Sequence, residues 1–183
     1  MTDSKKALFF FLLFYFGFFI FSGFLRIVLL LMIIFAFGKR LFCECEKLSV
    51  RYLLYAVCGT AFYVFAKFVV QSMPFSGGYS AENCSLSILF FVDALILTPV
   101  AEELLFRSCL DDVLQGFSVH FFILLSTILF AAVHLSQGIG GIFFAIMCGL
   151  MLSFTYKMKK KIIFSVIMHS FINLGGSLDC IFF

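Results

Sequence analysis

The chain has 183 residues, 63% of them hydrophobic and 13% charged, with phenylalanine at 30 positions and a net charge of +3. A soluble domain is about 45–50% apolar and about 25% charged, so the composition points to an integral membrane protein, and its unbroken apolar runs favour helical spans over an alternating β-barrel. No glycine-rich phosphate loop and no basic stripe interleaved with aromatics occurs, which argues against a nucleic-acid partner.

Lys5 and Lys6 precede an apolar run that is longer than the core of a signal peptide and lacks a small-residue cleavage site, so it reads as an uncleaved anchor. Residues 7–38 are apolar except for Arg26. One upright span needs about 20 residues, so this run is either one long tilted helix or two helices that break near Ser22-Gly23. The loop at 39–51 is basic, with Lys39, Arg40, Lys47 and Arg51. It also holds Cys43 and Cys45, which could bind a soft metal. With no second cysteine or histidine pair nearby, they read as small apolar residues.

A span is expected at 52–70, followed by a loop at 71–84 with Pro74, Gly77 and Gly78 and no lysine or arginine. Asn83-Cys84-Ser85 in that loop fits the glycosylation pattern and reads as a chance match. Residues 86–114 form one long helix with Pro99 inside it, and a turn falls near Gln115-Gly116. Spans follow at 118–135 and 139–156, then the cationic loop Lys157-Met158-Lys159-Lys160-Lys161 and a last helix at 162–178. The terminal Cys180-Ile181-Phe182-Phe183 is a poor match to a prenylation signal, because Phe182 stands at an aliphatic position. The expected fold is an all-α, polytopic transmembrane bundle of six or seven spans.

The placement of basic residues orients this map. With the 157–161 loop in the cytoplasm, 39–51 and the 115–118 turn fall on the same side, and the loops without lysine or arginine, 71–84 and 136–138, fall outside. One helix at 7–38 gives six crossings. Two helices give seven and bring Lys5 and Lys6 inside.

Polar side chains within apolar spans tend to face the bundle interior and mark function. The last helix carries Ser165, His169, Asn173 and Ser177 at four-residue steps, hence on one face. The two serines read as packing contacts, and His169 with Asn173 as functional. Gly141, Ala145, Gly149 and Ser153 form a small-residue stripe that draws neighbouring helices together. Glu103 and Arg107 are spaced i, i+4 with the acid first, the favourable orientation for an ion pair. Glu102 points about 100° away and lacks that local partner. About residue 118 as centre, Glu102 and His134 are equidistant, so a hairpin sets them at one depth, near the outer side on this map. Pro99 removes an intrahelical hydrogen bond, and the expected kink would open a gap there.

Three motifs therefore stand in order on successive polar-bearing spans: Glu102-Glu103-x-x-x-Arg107, Phe130-x-x-x-His134 and His169-x-x-x-Asn173. Together they resemble the CAAX protease and bacteriocin-processing family (CPBP, also called Abi), which includes the type II CAAX prenyl endopeptidases. The resemblance covers about residues 85–175. Residues 1–84 show only membrane-span character and read as N-terminal transmembrane helices, while the resemblance implies a catalytic helical core at 85–183; together they make one integral membrane domain in a multi-pass protein, most simply of a bacterial cell membrane. The resemblance further implies an intramembrane endopeptidase without a cofactor, acting on a membrane-associated or prenylated protein or peptide. Glu102 would be the general base that activates water, His134 would orient the water or the base, and His169 and Asn173 would stabilise the oxyanion, with Glu103 and Arg107 in support. Ser108 stands where many relatives carry glycine, and Asp93 has no role in the pattern.

Two other readings fit the same residues. Glu102, His134 and His169 would make the ligand set of a zinc protease, although no His-Glu-x-x-His occurs. A non-catalytic immunity or self-protection protein, or a proton relay, would also place polar groups in spans. No inverted repeat supports transport. A third possibility is that Glu102-Glu103 simply ends a helix in water.

Overall fold

The computed structural model describes residues 3–20, 23–39, 41, 50–73 and 87–182. The Cys43/Cys45 pair, Pro74, Gly77, Gly78, the Asn83 motif and the Cys180 side chain lie outside what is described.

Seven helices and no strand occur among the described residues. They are α1 (Asp3–Ile20), α2 (Gly23–Phe37), α3 (Val50–Gln71), α4 (88–113), α5 (Val119–Ala132), α6 (Gly138–Lys159) and α7 (Ile162–Phe182). The run at 7–38 is thus carried by two helices. The segments Val50–Gln71, Leu135–Lys159 and Ile162–Asp179 are each long and apolar enough to cross a membrane. Large apolar side chains such as Phe35, Phe68, Ile88 and Leu89 face outward, while Glu102, Glu103, Arg107 and His169 are buried. This inverted distribution suits a bundle solvated by hydrocarbon.

Contacts between helices fix their directions. Tyr52 and Tyr55 pack on Phe164, and Lys67 pairs with Asp179 at 2.5 Å, so α3 and α7 run parallel. They approach closely at Gly59, where a Cβ would meet the Met168 carbonyl oxygen at 2.6 Å. Lys157 at the end of α6 pairs with Asp111 at the end of α4, and Cys109 Sγ lies 3.6 Å from the Ala7 carbonyl oxygen. Phe37 at the end of α2 packs on Phe10 and Phe14 near the start of α1. The starts of α1, α3 and α7 and the ends of α2, α4 and α6 therefore gather at one end, with the lysine loop. Helix direction alternates from each helix to the next.

The α4–α5 turn is closed by Gly116, whose φ of +91° is costly for any residue with a Cβ, and by Ser118, whose Oγ accepts from the Phe121 N–H at 3.2 Å. Ser126 of α5 donates to the Phe106 carbonyl oxygen at 2.8 Å, and Ser153 of α6 donates to Ser126 at 3.0 Å. Of the small-residue stripe on α6, Gly149 and Ser153 meet α5, whereas the nearest atoms to a Cβ at Gly141 would be those of Gln137 in the preceding turn.

α4 departs most from the expected regular helix. It runs as Ile88–Val92, a π-helical turn Asp93–Leu97, an α-helical turn Thr98–Glu103, a second π-helical turn Leu104–Cys109, and Leu110–Val113. The gap expected at Pro99 is absent, because residues 98–110 are all buried. The π turn instead absorbs the proline. Widening the helix before Pro99 relieves the ring's clash with the preceding turn.

Candidate active site

The two π turns bracket the segment that carries Glu102 and Glu103, and each leaves a carbonyl without its helical donor. In the first, the Thr98 N–H bonds to the Asp93 oxygen, and position 99 is a proline with no N–H. The stranded Ala94 oxygen accepts instead from Asn173 Nδ2 of α7 at 2.9 Å. In the second, the Leu110 N–H reaches back to the Leu105 oxygen, and the Phe106 oxygen accepts from Ser126 of α5. Side chains from two neighbouring helices thus hold α4 in its irregular form. A buried carbonyl without a donor would cost about 1–3 kcal/mol.

Between these clamps lies a cluster of ionisable groups that is almost fully buried: Glu102 is 3% exposed, Glu103 and Arg107 0%, and His169 4%. Glu103 Oε2 faces Arg107 Nε at 3.2 Å, and Glu103 Oε1 accepts from His169 Nδ1 at 2.9 Å. Arg107 also reaches the Gly149 carbonyl at 3.5 Å and lies 4.8 Å from the centre of the Phe130 ring. A buried charge is costly unless paired, and Glu103, at the centre of the cluster, forms the ion pair with Arg107 and accepts the hydrogen bond from His169.

Glu102 is placed differently. Its Oε2 is 3.8 Å from His169 Nε2, too far for a direct hydrogen bond; like Glu103 Oε2, Arg107 Nε and Arg107 Nη1, it has no hydrogen-bond partner among the described residues, but unlike Glu103 it makes no short ion pair with Arg107. An ionised carboxylate only accepts, so the bond to Glu103 puts the hydrogen of His169 on Nδ1. In the neutral ring, Nε2 then presents its lone pair toward Glu102.

His134 does not share the depth expected for it. Phe106 and Ser126, which are hydrogen-bonded, are each ten residues from Gly116. The hairpin is therefore centred on 116, and Glu102 lies level with Phe130. His134 sits one turn further, about 6 Å, toward the end away from the lysine loop. Its Nδ1 bonds to the Phe130 carbonyl oxygen at 2.8 Å. Its ring lies 4.7 Å from the Phe130 ring, which meets His169 edge-on at 5.8 Å. Phe130 is thus the shared wall between the two histidines, a role its place in the motif did not reveal. Asn173 is not directed at Glu102 through Nδ2, whose observed bond goes to α4. Ser165 and Ser177 bond back to their own helix, at Ile162 and Asn173.

The cluster also lies nearer the lysine end than expected. Glu103 is ten residues from the end of α4 at Val113, and His169 is seven from the start of α7 at Ile162, or about 15 and 10 Å. The 2.9 Å bond between Glu103 and His169 sets these two residues at neighbouring depths. What remains offset is His134.

Asp93, given no role in the sequence, accepts from Thr98 Oγ1 at 3.0 Å, and Arg26 of α2 approaches the same hydroxyl at 3.5 Å. Among the described residues, no three histidine, cysteine, aspartate or glutamate side chains are gathered to hold a metal ion. The trio Glu102, His134 and His169 is separated by the offset of His134, and His169 Nδ1 already faces Glu103.

A family model described as type II CAAX prenyl endopeptidase Rce1-like matches residues 84–175, which is 92 of 183 residues. The match takes in Glu102, Glu103, Arg107, His134, His169 and Asn173. No curated protein and no solved structure matches the chain.

Proposed function

The chain belongs to the type II CAAX prenyl endopeptidase Rce1-like family of membrane proteases, and from that premise we propose that it hydrolyses a peptide bond with Glu102 as general base. The observation that carries this reading is the Glu102 carboxylate oxygen, which is buried, lacks a hydrogen-bond partner among the described residues and faces His169 Nε2 at 3.8 Å. The mechanism places one water within about 2.8 Å of each atom.

Glu102 takes a proton from that water, and the water oxygen bonds to the scissile carbonyl carbon. The C–N bond breaks as Glu102 returns the proton to the amine nitrogen. His169 Nε2 holds the water's second hydrogen, and Glu103 fixes the His169 ring. Asn173 retains a second amide hydrogen with which to meet the oxyanion. His134, on the far side of Phe130, borders the approach of the substrate. A general base of this kind contributes about 10²–10⁴-fold. The substrate in this reading is a membrane-associated or prenylated protein or peptide.

The zinc alternative is not supported by a gathered ligand set among the described residues, and no step here passes through a metal. Alternating helix directions support seven crossings, with the lysine loop in the cytoplasm. The function is tested on purified protein with a prenylated reporter peptide. Cleavage that resists chelators and is lost in Glu102→Gln supports glutamate catalysis. Cleavage lost on chelation and restored by zinc would restore the metal reading. A folded Glu102→Gln variant that retains biological protection would point to a non-catalytic immunity protein.

A further inference from the structure

Gly149 and Ser153 belong to the small-residue stripe of α6, and both bear on Arg107. The Gly149 carbonyl oxygen lies 3.5 Å from Arg107 Nη2, at the guanidinium. Ser153, one turn further along the same face of α6, donates to Ser126 of α5 at 3.0 Å. Ser126 in turn donates to the Phe106 carbonyl oxygen at 2.8 Å. That carbonyl belongs to the planar peptide that carries the Arg107 backbone nitrogen. One face of α6 therefore reaches Arg107 at both ends, directly at its guanidinium and through two hydroxyls at its backbone.

Two features set this relay apart from ordinary helix packing. A serine inside a helix can bond back to a carbonyl of its own helix, as Ser165, Ser170 and Ser177 do, to Ile162, Val166 and Asn173. Ser126 and Ser153, both fully buried, bond across helices instead. A hydroxyl has one hydrogen; Ser126 aims its own at α4, and the bond it accepts from Ser153 holds it in that rotamer. The second feature is the target. In a regular helix the Leu110 N–H would bond to the Phe106 oxygen, but here it reaches the Leu105 oxygen. Removing the Ser126 hydroxyl lets Phe106 compete again for Leu110, which narrows the π turn that contains Arg107.

The position of Arg107 bears on the water site through two observed contacts. Its Nε faces Glu103 Oε2 at 3.2 Å, and Glu103 Oε1 accepts from His169 Nδ1 at 2.9 Å. The hydrogen held on Nδ1 is what leaves the Nε2 lone pair facing Glu102. If Arg107 shifts, Glu103 follows its ion pair and His169 loses the acceptor that selects its tautomer.

We propose that Ser126 and Ser153 are positioning residues of the active site, which fix the His169 tautomer through the Phe106–Arg107 peptide and Glu103. Their effect on rate rests on the protease reading; their effect on His169 does not. The test compares wild-type, Ser126→Ala, Ser126→Thr and Ser153→Ala full-length protein in nanodiscs, with isotope-labelled histidine and unfolding curves for each. The ring nitrogen resonances of His169 are assigned by their loss in His169→Gln. With the ring neutral, the wild type should show one tautomer, protonated at Nδ1. In Ser126→Ala the Nδ1 resonance should move toward that of an unprotonated ring nitrogen. Ser153→Ala should move it the same way by less, and Ser126→Thr, which keeps the hydroxyl, should hold the wild-type tautomer. Single-turnover cleavage of a prenylated reporter should slow about 3- to 10-fold in Ser126→Ala, the scale of one hydrogen bond, with reporter binding unchanged.

A folded Ser126→Ala protein that is less stable but keeps the wild-type His169 tautomer overturns the proposal, because the serines would then only hold helices together. If Ser126→Ala does not fold, an unchanged tautomer in Ser153→Ala overturns it. A shift in Ser126→Thr as large as that in Ser126→Ala would trace the effect to packing and also overturn it. A shifted tautomer with cleavage at the wild-type rate would remove the serines from the reaction. A shifted tautomer in a protein whose cleavage does not depend on Glu102 would leave the relay standing and overturn the protease reading instead.

Discussion

The irregular shape of α4 makes a quantitative prediction about two residues 74 positions apart. Pro99 withholds a backbone N–H from the Ala94 carbonyl, and Asn173 supplies a side-chain N–H in its place at 2.9 Å. Replacing Asn173 with alanine leaves that carbonyl without a donor. In water-soluble proteins such a loss costs about 1–3 kcal/mol. Side-chain hydrogen bonds between membrane helices average about 0.6 and reach about 1.7 kcal/mol, so about 1 kcal/mol is expected here. In a Pro99→Ala background, residue 99 regains an N–H that can bond to Ala94, and Asn173→Ala should then cost only a few tenths of a kcal/mol. The two substitutions should therefore couple by roughly 0.7–1 kcal/mol, where independent sites add to within about 0.3–0.5 kcal/mol. The assay is a four-protein cycle of reversible unfolding in mixed detergent micelles, followed by helical content and requiring no activity. Additive costs would show that Asn173 does not replace the proline's missing donor, and the argument for α4's stabilisation would fail.

Two further outcomes follow from the same contacts. Glu103→Gln removes the charge that pairs with both Arg107 and His169 and leaves a buried guanidinium unbalanced, a loss of about 3–5 kcal/mol; unfolding should show this protein far less stable than Glu102→Gln, and equal stability of the two would refute the division between a structural and a free glutamate. Single cysteines introduced at Gln115 and Lys159 in a cysteine-free background should be labelled by an impermeant thiol reagent only from the cytoplasmic side, and one at Ser136 only from the opposite side; labelling of 115 and 136 from one side would break the alternation of α4, α5 and α6.

What could be read from the sequence was what depends on spacing within one helix. Glu103 and Arg107, four residues apart, do meet, and Gly116 does close the hairpin. Contacts that depend on register between helices were not legible. Shifting the hairpin centre from 118 to 116 moves each residue's opposite number by four, enough to bring Phe130 level with Glu102 in place of His134. The bond between Glu103 and His169 joins residues 66 positions apart on different helices, and no periodicity announces it. The π turns left only a faint signal, Pro99 within an apolar helix, which fits a kink equally well. Asn173 was legible as a polar residue on the right face of an apolar helix. Its bond to Ala94 was not, because the carbonyl it satisfies becomes available only after the helix changes register. Arg26 was visible as a lone charge in an apolar run, but its contact, Thr98, lies on another helix.

The most direct measurement of the central claim is single-turnover cleavage of a prenylated reporter by wild-type and Glu102→Gln protein, with unfolding curves recorded for both. The account predicts that Glu102→Gln folds with near wild-type stability, binds the reporter, and cleaves it at least about 10²-fold more slowly, in the presence or absence of chelator. A folded Glu102→Gln protein that cleaves at the wild-type rate would contradict it.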